Sequence, residues 1–352
     1  MAKAALLKTS LDVLYFSGAS QVLRGICGGI GAIFALHHVK PGGGSQRGFA
    51  PNAGLEVTPA FLDSVINLTK SLGYEPVALA EAVARIAGRG ASNRPFVVFT
   101  VDDGYRDTLV HARPIFRKHQ CPFTVFVTPA IADGRCELWW RGLEAAIAGA
   151  AHIETSIGGT EVNLATVSDG QKRHAWQRLY GPLRAMEQTA QRAWIRNFCA
   201  RQGIDLDAMC LAEAMGWEEL RLLAADPLCT IGAHGMNHYA IARLSRDRAW
   251  REMTDCAARI ERELGRRPLY FAFPYGDADA AGPRDFSLVA ESGYRAAVTS
   301  RTGLIFSGHK DHLTALPRVE LTGDLQKLRY VEVMLSGTAF ALWNGLRRVK
   351  AA

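Results

Sequence analysis

A chain of 352 residues is long enough to bury one large α/β core or two ordinary ones, and with 48% hydrophobic and 21% charged residues it excludes a wholly disordered protein. The net charge of +7 suits an anionic partner, but "RRPL", "ARLSRDRAWR" and "GLRRVK" lie apart and none is interleaved with stacking aromatics, so no nucleic-acid role is expected. Seven cysteines, odd in number and without a CxxC pair, argue against a disulfide framework and for a reduced, cytoplasmic setting.

Residues 1–25 are basic and then apolar. Lys8 and Asp12 interrupt any signal-like apolar run, while Leu7, Leu11 and Leu14 recur at helical spacing, which predicts an amphipathic N-terminal helix. "ICGGIGAIFAL", residues 26–36, is too short to cross a bilayer and leads into a first buried strand, "AIFALHHV". Beyond the Gly/Pro-rich loop 41–54, "TPAFLDSVINLTKSLG" reads as a helix, with Thr58 ahead of Pro59 and Gly73 closing it. "PFVVFTVDDG" is the next strand, "TLVHARPIFRKHQ" a helix and "PFTVFVTPAI" a third strand. Residues 137–227 then break the rhythm with helical patterning around "IETSIGGTEVNL", which reads as a hairpin; this is an insertion. Alternation resumes with the strand "LCTIGAH", the helix "RDRAWREMTDCAARIERELG", the strand "LYFAFPYG", the helix "RDFSLVAESG" and the strand "RAAVTS". Residues 325–352 form a basic C-terminal segment that reads as a surface helix. The whole is an α/β pattern, a parallel sheet wrapped by helices, spanning residues 26–324.

In such folds ligands collect at the carboxyl ends of the strands. His37 and His38, Asp102 and Asp103, His234, and Tyr275 with Asp277 all fall there. "HGMNH" sets His234 and His238 four apart, so that one helical turn after the strand would aim both imidazoles at a single cation, and one added carboxylate completes a His2Asp site. Adjacent Asp102 and Asp103 repel each other unless a cation offsets one of them, leaving the other free to act as a base. Gly104 lets the chain turn at once, bringing both carboxylates to the mouth. "FAFPYGD" runs a strand into a turn at which the Tyr275 N–H can face a developing oxyanion.

Taken in order, "LHHV", "TVDDG", "HGMNH" and "FPYG" resemble the polysaccharide deacetylases of carbohydrate esterase family 4, with their nodulation-type chitooligosaccharide deacetylase domain. The likeness covers about residues 30–135 and 228–322. It implies an irregular (β/α) barrel of about seven strands, carrying here a helical insertion. It also implies Asp102 as catalytic base, Asp103, His234 and His238 as metal ligands, His37 as general acid, and Tyr275 as oxyanion donor and cleft wall. Where the chitin-type pattern has an arginine two residues before the proline, this chain has Ala272, and "FAFPYG" is closer to members acting on poly-N-acetylglucosamine and related envelope polysaccharides.

The implied reaction is hydrolysis of an N-acetyl amide on an aminosugar, with a divalent metal, zinc by ligand type, though cobalt, nickel or manganese also suit the set. Tyr275, Trp140 and Arg318 are the substrate-binding candidates, Trp140 by stacking on a sugar face. His38, His309 and His312 compete with His37 for the acid role, the last two if the loop "FSGHKDHLTALPR" returns to the mouth. A metal-dependent sugar-nucleotide transferase is disfavoured by the two histidine ligands, and a non-catalytic carbohydrate-binding descendant by the presence of Asp102 and His37. The basic charge and N-terminal helix are compatible with a peripheral position at the inner membrane face and a lipid-linked precursor as substrate.

Overall fold

The computed structural model describes residues 2–44, 48–90, 92–345 and 349. Seven parallel strands pair in chain order: β1 (Gly31–Leu36), β2 (Phe96–Val101), β3 (Phe123–Val127), β4 (Cys229–Ala233), β5 (Tyr270–Ala272), β6 (Ala296–Thr302) and β7 (Leu316–Glu320). The last returns to the first, with Phe34 opposite Val319, and the ring is closed. A two-residue strand, Glu75–Pro76, lies beside the start of β2, where pairing with β3 has not begun. Strand β7 lies outside the sequence-based strands, because Pro317, Arg318 and Glu320 break its apolar run.

Ring closure explains why β1, β2 and β3 are buried at every residue. One side of each faces the barrel interior and the other the surrounding helices. Ile33, Phe96, Val98, Phe126, Ala272 and Leu316 belong to one buried cluster, which the helix Leu79–Ile86 joins, and Phe34, Phe99, Val101, Val125 and Phe271 belong to another, packed under the helices Pro59–Ser71 and Arg246–Leu264. The interior is full near its amino end: a Cβ on Gly232 would lie 2.4 Å from the Phe126 ring, so the large side chain requires the small one. Two residues further along each strand, the same inward parity brings Thr100 and then Asp102 from β2, His234 after β4, Ser300 from β6 and Arg318 from β7. The interior therefore changes from apolar to ionic towards the carboxyl end.

The helices follow their local signals. In Pro59–Ser71, Thr58 accepts the Phe61 N–H and Pro59 opens the first turn, while Phe61, Leu62, Val65 and Ile66 are buried on one face. Helix Arg246–Leu264 is capped by Ser245 and stopped by Gly265 at φ 74°. Residues 139–213 form helices around an antiparallel hairpin, His152–Ile157 with Thr160–Ala165, and have their own core of Trp139, Leu143, Ile153, Leu179, Ile195 and Phe198, whereas the helix Trp217–Ala224 packs Leu220 and Leu223 into the barrel's cluster. This unit is attached to the barrel beside the carboxylate pair: Tyr105 bridges Ala214, and the Gly104 carbonyl accepts the Met215 N–H.

Both termini differ from expectation. Residues 1–25 are not one helix; Ala2–Phe16 and Ala19–Cys27 are separated at Gly18, which has φ 73°. The C-terminal segment forms two short helices, Leu328–Leu335 and Thr338–Trp343, and the first buries Tyr330, Val331, Val333, Met334 and Leu335 rather than lying on the surface. Asp12 ties the N-terminal helix to it through Arg329 and the Tyr330 hydroxyl. The basic residues Arg347, Arg348 and Lys350 of "GLRRVK", like residues 45–47 of the long loop, lie outside the described residues. Among the described residues no helix is long and apolar enough to cross a membrane.

Candidate active site

Asp102 and Asp103 separate as soon as β2 ends. The Asp102 N–H still donates to the Leu36 carbonyl, continuing the barrel pairing, and its side chain stays inside. At Asp103 the backbone turns through φ 71°, with Gly104 at φ 79°, and this aims the second carboxylate towards β4. The turn thus begins one residue earlier than Gly104. Asp103, His238 and Tyr275 (φ 62°) are three of the four non-glycine residues with positive φ among the described residues, and His238 reaches φ 57°. Each left-handed residue costs about 1–3 kcal/mol, a cost that the surrounding contacts must offset.

The histidine pair converges without the helical turn expected from its spacing. Residues 234–238 form a bend, with Gly235 at φ 75°. Glu252 holds that bend by accepting from the Asn237 N–H and side-chain amide, and Arg192 of the insertion donates to the His238 carbonyl at 3.0 Å. His234 Nδ1 lies 2.7 Å from the Ala272 carbonyl, which can only accept, so Nδ1 carries the hydrogen and Nε2 is left facing Asp103.

Asp103 Oδ1 stands 3.4 Å from His234 Nε2 and 3.2 Å from His238 Nε2, all three side chains buried. It has no hydrogen-bond partner of its own. Two ligands about 2.0–2.1 Å from one ion at a tetrahedral angle would stand ~3.3 Å apart, so the spacing fits a shared divalent cation. Burial works against the Asp103 charge, but the two histidines outweigh it and hold the carboxyl well below its usual range. Burial pushes the His238 imidazole down to about 4, which keeps it neutral, as a metal ligand must be. The cluster Asp103, His234 and His238 is where such an ion would be held.

Asp102 has a different partner. Arg318 donates from Nη1 to Oδ1 at 2.8 Å and from Nη2 to Oδ2 at 2.7 Å, and its remaining bonds go to the Thr100 hydroxyl and the Thr299 carbonyl. Arg318, expected as a substrate-binding residue, lines the pocket but is only 2% exposed, and its guanidinium bonds to these protein acceptors. Burial favours the neutral acid, yet Arg318, then His234 and His37, hold the Asp102 carboxyl below its ordinary value.

His37 and His38 part ways because β1 ends at Leu36. His37 lines the same pocket as Asp102 and Asp103. His38 is directed elsewhere, its Nδ1 2.6 Å from Asp107 and its ring stacked 3.7 Å from that of Tyr105. The loop carrying His309 and His312 does not return to the mouth: Ile305 bridges Gly31 at the amino end of β1, and the buried His309 takes the Phe306 N–H.

The pocket holds about 160 Å³. One wall is Tyr275, whose hydroxyl accepts the Trp139 Nε1–H at 2.7 Å and whose burial raises it to about 12. A Cβ on Gly276 would lie 2.5 Å from the Ser300 nitrogen, so the turn after Tyr275 needs glycine. Trp139, fully buried, and Trp140, 6% exposed, both line the pocket, the Trp140 ring 5.1 Å from that of His238. Tyr180 and Arg184 of the insertion also line it, Arg184 lying over the Tyr275 ring at 4.7 Å. Neither carries a sequence signal; only the docking of the insertion brings them there.

A model of the polysaccharide deacetylases matches residues 89–296, more than half of the chain. The chain belongs to the polysaccharide deacetylase family. It is a hydrolase acting on amide bonds. No curated protein sequence matched it. Solved structures share the fold at low identity. The Streptococcus pyogenes deacetylase PplD, in complex with acetate, is 16% identical with a TM-score of 0.51, over 86% of this chain and 97% of that one. IcaB from Ammonifex degensii is 19% identical with a TM-score of 0.53, over 87% and 97%. BC0361, a polysaccharide deacetylase from Bacillus cereus, is 12% identical with a TM-score of 0.53, over 87% and 68%. His37 and Arg318 of this deacetylase fall outside the residues matched to the family.

Arg318→Met tests the Asp102 pair. Without the guanidinium, burial raises the Asp102 carboxyl, so the acidic limb of kcat/KM should move to higher pH and lost turnover should recover as pH rises. An unchanged limb would show that Arg318 only fills space.

Proposed function

We propose that this deacetylase hydrolyses N-acetyl groups of an aminosugar poly- or oligosaccharide, with zinc held by Asp103, His234 and His238. The observation that carries the reading is the buried, unpartnered Asp103 Oδ1 facing two imidazole nitrogens, an arrangement that a cation stabilises and that is otherwise costly. When bound, the ion supplies Lewis acidity to the acetyl carbonyl and makes water a better nucleophile.

The chain's own residues divide the remaining work. Asp102, oriented by Arg318 and kept ionised, accepts a proton as water adds to the carbonyl carbon. The Tyr275 N–H donates to the developing oxyanion, and Trp140 with the Tyr275 ring bounds the acetamido group. His37 gives a proton to the nitrogen as the C–N bond breaks, releasing acetate and a free amine. The likeness of "FAFPYG" to members acting on envelope polysaccharides favours an envelope glycan as substrate, and the basic charge with the N-terminal helix is compatible with its lipid-linked precursor.

Acetate release from N-acetylglucosamine oligomers by zinc-loaded protein tests the reading. Release that survives complete chelation would contradict the metal dependence. His37→Ala should lower amide turnover by about 10²–10⁴ while sparing an activated acetate ester, whose leaving group needs no proton. Equal loss on both substrates would remove His37 from the acid role.

A further inference from the structure

The N-terminal helix Ala2–Phe16 is apolar on two opposite faces. Leu11 is buried, with Leu7 and Leu14 packed beside it against Tyr330 and Val333. Leu6, Val13 and Phe16, which fall on the opposite side at 100° per residue, are 60–73% exposed. The expectation of a simple amphipathic helix is therefore incomplete. Helices Ala19–Cys27 and Thr338–Trp343 pack against it and against each other, and they add Val22, 80% exposed, Leu342 and Trp343. Six large apolar side chains are thus presented by three touching helices, although exposed residues of this kind are ordinarily scattered singly.

Charge is concentrated in the same terminal segments. Residues 1–30 and 325–352 contain eight lysines and arginines against two acidic residues, six of the chain's seven net positive charges. The 294 residues between them are close to neutral. We infer that the three terminal helices form a seat for an anionic lipid surface, into which Phe16, Val22, Leu342 and Trp343 insert, the net positive charge of these terminal segments drawing them to the headgroups. Aliphatic and aromatic residues bordered by basic ones are the composition of an interfacial anchor, and tryptophan favours the headgroup depth. A second copy of the chain fits less well, since symmetric pairing would bring together two terminal segments of like net charge. None of the six residues lines the active-site pocket, so the seat is separable from catalysis.

Sedimentation of the full chain with phosphatidylcholine vesicles, with and without phosphatidylglycerol, tests this. Binding should require phosphatidylglycerol and weaken at least tenfold as salt rises from about 0.05 M to 0.5 M, where screening shortens the reach of each charge. Phe16→Glu with Val22→Glu should reduce binding at least tenfold and leave acetate release unchanged. Replacing Arg347, Arg348 and Lys350 by serine should also weaken binding; these substitutions leave the helix faces untouched and so keep the test valid if the glutamate variant misfolds. Failure to bind either vesicle, equal binding by the serine variant, or a concentration-dependent dimer abolished by Val22→Glu would overturn the inference, the last assigning the face to a second copy.

Discussion

Asp103→Asn should lose metal and acetate release together. Asparagine is the appropriate replacement because it tolerates the left-handed backbone at φ 71°, where alanine would add strain of its own. It also keeps the side-chain shape, so the change is confined to the anionic oxygen that faces His234 and His238 at 3.4 and 3.2 Å. Loss of an outer partner to a metal ligand typically costs about 10–100-fold in affinity, and loss of the only charged ligand should exceed that. Metal content after dialysis, read beside acetate release, checks the result. A variant that keeps its ion and loses only turnover would make Asp103 something other than a ligand.

Asp102→Asn should keep the metal and lose about 10²–10⁴ in turnover, since an amide cannot accept the proton. The same change leaves the Arg318 charge buried without its carboxylate, and breaking such a pair typically costs about 3–5 kcal/mol. Lower stability is therefore expected alongside lower activity and has to be separated from it. The double variant Asp102→Asn/Arg318→Met removes the stranded charge and should regain most of the lost stability without regaining turnover. If turnover returned with stability, Asp102 would be structural rather than the base.

These two residues also show what can be read from sequence. "TVDDG" announces two carboxylates at a strand end because a run of buried apolar residues stops abruptly at charge. It does not reveal that Arg318 completes Asp102, since the pair is 216 residues apart and β7 has too broken a pattern to read as a strand. The histidine pair is legible from its residue types, whereas its geometry is not: a bend with two positive φ values, held by Glu252 and Arg192, replaces the helical turn that four-residue spacing suggests. Six strands and the hairpin follow from periodicity. Tyr180, Arg184 and the N-terminal helix faces depend on how separate segments dock, which no local pattern encodes.

Titration of metal-free protein with zinc tests the central claim most directly, with bound metal and acetate release from an N-acetylglucosamine oligomer measured on the same samples. Both should rise together and level off at one ion per chain, and Asp103→Asn should show neither rise. Acetate release that is already maximal before zinc is added, or that stays absent after one ion is bound, would contradict the account.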